Sequence, residues 1–239
     1  MGHIENFQLG MSETHRHANA AEQRDEFELL GLRWTLLPEV FAPHHSRSTE
    51  AYTRWLPVFE GDSLLEMGCG AGITSVFAAL HHCRHVTAVD ISAAAVHNTR
   101  INAARHGVAD RVRALRSDMF EAIDPTERYD VIFWNSSAIP APPNFTYTRD
   151  IEWSIFDRDY ASHHAYLTMG TRFLTERGRI FLGFNTNGDL DRLERLASES
   201  NLRIRTVESM TTKYHSGTTA RFMLLELVPT RSTGEASMA

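Results

Sequence analysis

The 239 residues carry 24 basic against 30 acidic side chains, a formal charge of -6 and a pI near 6.1, which argues against a surface built to grip phosphate backbone and so against nucleic acid as substrate. A hydrophobic content of 42% suffices for one core of ordinary size, no stretch approaches ~18 uninterrupted apolar residues, and the N-terminus lacks the apolar run of a signal peptide, so a cytoplasmic protein without membrane contact is expected. Cys69 and Cys83 form neither a metal-ligand spacing nor a disulfide framework.

The first 60 residues differ in character from the rest. A charged stretch at about 12–30 reads as helical, and the apolar, proline-punctuated LRWTLLPEVFAPHHSRSTEAYTRWLP after it is expected to pack on the core as a lid-like extension. From residue 63 strand and helix alternate, the pattern of a parallel sheet covered on both faces. SLLEMGCG reads as a first strand, with Ile73, Val76, Phe77 and Leu80 on one helix face behind it. HVTAVDIS is the second strand, and Ser92 caps a helix that stops at Gly107. VRALRSD and YDVIFWN are the third and fourth.

The segment 136–156 reads as a long loop whose prolines and aromatics suit a pocket wall. Tyr160, His164, Leu167, Thr171 and Leu174 then fall on one helical stripe, GRIFLGFN is a fifth strand, and Leu190, Leu193 and Ala197 face inward from a last helix. LRIRTVESM and ARFMLLELV are joined by only ten residues, too few for a helical crossover, so they are expected to be antiparallel. Residues 231–239 read as a flexible tail.

Three strand ends offer groups suited to one adenosine. LLEMGCGAG sets Gly68, Gly70 and Gly72 between strand and helix, where the backbone can pass close beneath a ligand, with acidic Glu66 two positions ahead. Asp90, 18 residues after Gly72, can accept both hydroxyls of a ribose, and Asp118 with Met119 can meet an adenine amino group and ring nitrogen. An NAD site would want G-x-G-x-x-G; the spacing here is G-x-G-x-G, and together with the closing hairpin it favours an adenosyl methyl donor.

Over roughly residues 50–228 the chain resembles the class I S-adenosylmethionine-dependent methyltransferases, whose first motif reads acid-x-G-x-G-x-G. The resemblance implies an α/β, Rossmann-like fold with a seven-stranded, mostly parallel sheet, an antiparallel last strand and helices on both faces. It implies a methyltransferase domain over 61–230 behind the extension 1–60. Glu66, Gly68 and Gly70 would lie by the methionine part of S-adenosylmethionine, Asp90 by its ribose, and Asp118 with Met119 by its adenine, while Cys69, Gly72, Ile91 and Asn135 complete the implied cofactor contacts.

Asn135 ends the fourth strand next to where the methyl should lie, and its amide oxygen can accept from an acceptor N–H. DVIFWN and PEVFAPHHSRSTEAY are similar to the branch that methylates planar nitrogens, including release-factor glutamine and ribosomal guanine methyltransferases, where asparagine, two prolines and an aromatic stand in a row. Here Ser136, Ser137 and Ala138 replace the last three, so the carbonyls are expected to be less rigidly aimed, with Phe145, Tyr147 or Trp153 able to supply the missing stacking face. Candidate acid–base or substrate groups are His44, His45, Tyr160, His163 and His164; adjacent histidines on a helix point apart, so no metal is expected. The functional expectation is methyl transfer to a small molecule, in secondary metabolism. The alternatives are methylation of a protein or peptide amide nitrogen, and a non-catalytic cofactor-binding subunit. Oligomeric state leaves no mark in the sequence.

Overall fold

A computed structural model describes residues 3–23, 25–213 and 219–230; the expected tail at 231–239 lies outside the described residues. In chain order the elements are α1 (His3–Gln23), β1 (Glu26–Leu29), β2 (Leu32–Thr35), a short turn of helix at Pro43–His45, α2 (Arg47–Trp55), β3 (Ser63–Met67), α3 (Ile73–His81), β4 (His85–Asp90), α4 (Ala93–Arg105), β5 (Val112–Arg116) and β6 (Tyr129–Asn135). Then follow β7 (Ile139–Ala141), a helical turn at Asp150–Ser154, β8 (Phe156–Arg158), α5 (Ala161–Met169), a turn at Gly170–Phe173, β9 (Leu174–Asn185), α6 (Leu190–Glu199), β10 (Leu202–Lys213) and β11 (Thr219–Pro229). The main sheet has seven strands in the order β10-β11-β9-β6-β3-β4-β5, and β11 runs antiparallel to both of its neighbours.

The central strands are buried on both faces, and their alternate side chains feed two cores. Leu64, Val86, Val131, Phe133 and Phe181 point to the side of α3 and α4; Leu65, Val89, Ile132, Trp134 and Leu182 point to the side of α5 and α6. As expected, Ser92 caps α4, accepting from Ala95 N at 3.3 Å, and Leu193 and Ala197 of α6 are buried.

Three local readings are corrected. The stretch at 12–30 is the second half of α1 followed by β1, which pairs with β2 in a hairpin. The segment 136–156 is not structureless, because Ile139–Ala141 pairs in parallel with Phe156–Arg158 around the helical turn. The stripe on α5 is turned: Tyr160 stands outside the helix as its cap with φ 48°, so His163, Tyr166 and Leu167 face inward, His164 is exposed, and Leu174 already belongs to β9.

The N-terminal segment shares the first core. Trp34, Leu36 and Tyr52 are buried with Leu64 and Phe133. Polar side chains fix it as well, since Asn98 and Asn102 of α4 treat β2 as a neighbouring strand would. Asn102 Oδ1 accepts from Thr35 N and Asn98 Oδ1 from Leu37 N, both at 2.8 Å, and both amides donate to Thr35 O. Asn102 Nδ2 also donates to Ala71 O at 2.8 Å, which ties the same helix to the glycine loop.

Tyr52 of α2 crosses the sheet at Gly183 and donates to Phe184 O at 2.7 Å; a Cβ on Gly183 would stand 2.7 Å from its ring. Gly183→Ala therefore forces α2 off the sheet or the ring out of its rotamer. The expected cost is about 1–3 kcal/mol, the usual range for overpacking a tight core, read as a lower urea midpoint with an unchanged denaturant slope.

Candidate active site

The carboxyl ends of β3, β4, β5, β6 and β9 open on one cavity, the position where parallel α/β sheets hold ligands. It is lined by Glu66, Gly68, Cys69, Gly70, Asp90, Ile91, Asp118, Met119, Asn135, Ser136, Ser137 and Trp153 among the residues singled out from the sequence.

The floor is the turn between β3 and α3. Gly70 has φ 54° and a Cβ placed on it would meet nothing within 4 Å, so the backbone is exposed to the cavity in a conformation that side chains rarely adopt. Gly72 lies behind this floor at the start of α3, facing Thr99. Glu66 is buried beneath it. Its carboxyl accepts from Ser75 N at 2.8 Å and from the Ser75 hydroxyl, yet burial outweighs these bonds and lifts its pKa to about 7.

Asp90 joins two loops. One carboxylate oxygen accepts from Gly70 N at 3.0 Å and the other from Ser92 N at 2.9 Å, and burial raises its pKa in spite of both bonds. Each oxygen retains acceptor capacity for a further hydroxyl. Beside it, Ser117 N donates to Asp90 O at 2.9 Å and the Ser117 hydroxyl donates to Met119 O at 2.8 Å, which fixes Met119 at φ 43° on the wall. Two acceptors at β4, with a carboxylate and a turned backbone at β5, are the groups an adenosine needs, and the open glycine floor leaves it room.

On the other side of the cavity the expected looseness after Asn135 is absent. Asn135 pairs with Gly183 in the sheet, and Gly183 O accepts both Ser136 N at 3.0 Å and the Ser136 hydroxyl at 2.9 Å. Ala138 O is held in turn by the Tyr160 hydroxyl at 2.7 Å. Serine hydrogen bonds thus pin a turn that rigid prolines would otherwise pin.

Several predicted residues stand away from the cavity, each for a packing reason. Tyr160 is spent on Ala138 O and on Asp189 N. His163 is buried against Trp134 and shares a 2.7 Å contact with Asp157, so it backs the wall without lining it, and His164 faces outward from α5. His44 stacks on Phe27, and His45 lies beside His17 and His44. Phe145 packs with Phe7 and Phe156. Tyr147 stacks on the outer side of Trp153 at 3.5 Å between centroids and so reaches the cavity only through it.

Sequence reasoning expected a lid-like extension at 1–60 but singled out as site residues none of those by which it lines the cavity, and it missed part of the wall where β6 and β9 end. Leu9, Glu13 and His17 of α1 line the cavity, as do Glu39, Asn185 and Asn187. The i, i+4, i+8 spacing on α1 was the available signal. Asn185 and Asn187 were visible as the polar end of a strand.

Residues 64–148 match the family described as a methyltransferase domain. Over 111 residues the chain is 36% identical to a release factor glutamine methyltransferase of Bordetella pertussis, covering 45% of this chain and 40% of that one. Over 104 residues it is 36% identical to a ribosomal RNA small subunit methyltransferase C of Alcanivorax borkumensis, covering 41% and 30%. The chain thus spans less than half the length of either. A ribosomal protein L11 methylase from Lactobacillus delbrueckii subsp. bulgaricus has the same fold, with a TM-score of 0.56 at 16% identity over 79% of this chain and 81% of its own. These names overturn the expectation of a small-molecule partner with nucleic acid disfavoured. That expectation rested in large part on net charge, which is a whole-chain sum, whereas the relatives aligned with this chain by sequence are named for macromolecules. No helix among the described residues is long and apolar enough to cross a membrane. The sheet order, the glycine floor and the matched residues agree, and the chain carries a methyltransferase domain of the class I, S-adenosylmethionine-dependent kind.

Proposed function

We propose that this enzyme methylates a nitrogen of a protein or peptide side chain, and that the acceptor is a primary amide. The observation that carries the reading is the set of three amides, Asn135, Asn185 and Asn187, on the cavity wall where β6 and β9 end. A primary amide has two N–H donors and one carbonyl acceptor, and asparagine side chains answer both. Asn185 is itself oriented, because its Oδ1 accepts from Asn187 N at 3.0 Å. The similarity to a release factor glutamine methyltransferase supports the same acceptor chemistry.

In this reading Glu66, Gly68, Cys69 and Gly70 face the methionine part of the cofactor, with Gly72 shaping the turn behind them; Asp90 with Ile91 faces the ribose and Asp118 with Met119 the adenine. When bound, S-adenosylmethionine supplies an electrophilic methyl group. The protein's share is alignment: the pinned turn at Ser136 holds Asn135 still, and Trp153 offers a flat apolar face beside it. The segment 1–60 serves as a roof over the domain at 61–230.

Incubation of lysate with methyl-labelled cofactor tests the acceptor. Label is expected in the macromolecular precipitate, removed by protease and untouched by ribonuclease. Label that only ribonuclease removes, or that stays in the small-molecule fraction, would refute the reading.

Asp90→Ala is expected to weaken S-adenosylhomocysteine binding tenfold or more by calorimetry, through loss of charge-assisted hydrogen bonds of ~1.5 kcal/mol each. Asn135→Ala is expected to lose turnover while keeping that affinity, and the opposite split would move Asn135 away from the acceptor.

Glu66 gives a pH signature. Its carboxyl titrates near 7 in the fold against 4.5 ordinarily, so between these values the native state holds a proton that the unfolded chain has released. Stability accordingly falls as pH rises through that window, by on the order of 3 kcal/mol when complete. Glu66→Gln removes the loss. Relative to wild type, the variant without ligand is expected to gain stability from pH 5 to pH 8 in urea melts, and a difference that stays flat with pH would contradict the assignment.

A further inference from the structure

Beside Asp90 the cavity carries a second carboxylate that has no place in the sequence reading. Asp150 opens the helical turn at Asp150–Ser154, on the segment that also brings Trp153, and it lines the cavity together with Asp90 and Ser92. Unlike the buried Glu66, it is an exposed residue. The two aspartates meet on one serine. Ser92 N donates to Asp90 Oδ1 at 2.9 Å, and the Ser92 hydroxyl donates to Asp150 Oδ2 at 2.9 Å. Both carboxylates therefore stand at the end of β4, one residue apart.

The turn does not need Asp150 for its shape. Glu152 is buried, and its carboxylate accepts from Thr148 N at 2.6 Å, from the Thr148 hydroxyl at 3.1 Å and from Arg149 N at 3.2 Å. Arg149 Nε then ties the turn to Glu39 at 3.0 Å. Among the described residues the Asp150 carboxylate has only the Ser92 hydroxyl, Oδ1 has no partner, and neither aspartate has an ion pair. After burial, the charge of Asp150 is among the influences that raise the pKa of Asp90. Two neighbouring anions without a cation call for hydrogen-bond donors that bring no negative charge, and the two hydroxyls of a ribose are such donors.

We infer that Asp90 and Asp150 share the ribose of the cofactor, with Asp150 accepting from one of its two hydroxyls; this rests on the ribose placement at Asp90 proposed above and not on the identity of the acceptor. The cofactor is then held by a side chain from the segment after β6 as well as by the ends of β3, β4 and β5. The turn that carries Trp153 touches the donor directly.

The test is calorimetry on the full chain with S-adenosylhomocysteine and with its 2′-deoxy and 3′-deoxy forms. Wild type is expected to bind either deoxy form more weakly than the parent. Asp150→Ala is expected to bind the parent about five- to tenfold more weakly than wild type does, through loss of one charge-assisted hydrogen bond. The same variant is expected to bind one of the two deoxy forms within about twofold of the parent, because removing a hydroxyl whose partner is already gone costs nothing further. If Asp150→Ala binds the parent within about twofold of wild type, or loses the full wild-type factor on both deoxy forms, the inference is overturned. Asp90→Ala separates the two readings: a tenfold loss there beside none at Asp150 removes Asp150 alone, whereas no loss at either residue removes the ribose placement as well.

Discussion

The carboxylate of Asp90 is the fixed point of this molecule. It binds Gly70 N with one oxygen and Ser92 N with the other, so the loop after β3 and the start of α4 are held at one separation. Its own backbone carbonyl receives Ser117 N and sets the end of β5 as well. Three strand ends that are distant in sequence thus meet on a single residue. The glycine floor can be bare because this carboxylate, and not a side chain of the floor, keeps it in place.

That arrangement leaves two carboxyl groups, Glu66 and Asp90, against one glycine turn, both driven toward the protonated form by burial. Buried acids held only by neutral donors are unfavourable unless something positive comes to them. The fold is therefore less stable than its packing alone would allow, and the deficit lies at these two acids.

The floor was legible in the sequence because its signal is local: an acid, three glycines and a second acid at strand ends, each readable within a few residues. The opposite side of the cavity was less so. The β7–β8 pair is two strands of three residues that find each other across a helical turn, and strands that short have no period to detect. The helix α5 was misphased by one position because Tyr160, which reads as its first inward residue, is in a left-handed cap conformation, and that shift exchanged His163 with His164. The pinned turn at Ser136 was misjudged for another reason. Rigidity was sought in covalent restriction, as prolines give, while the chain obtains it from a carbonyl across the sheet that accepts twice from Ser136. Net charge misled most, since it says nothing about what one cavity wall recognises.

The asparagines of α4 have a consequence for inheritance. Asn98 and Asn102 spend their amides on Thr35 and Leu37, and Asn102 also reaches Ala71 beneath the glycine floor. A roof attached in this way is not a detachable module. Two relatives could exchange the first 40 residues only by exchanging the matching face of α4 with them, because otherwise buried amides are left without partners on both sides of the junction. The roof is therefore bound to the helix that also supports the floor, and a change on either side of that junction calls for a matching change on the other.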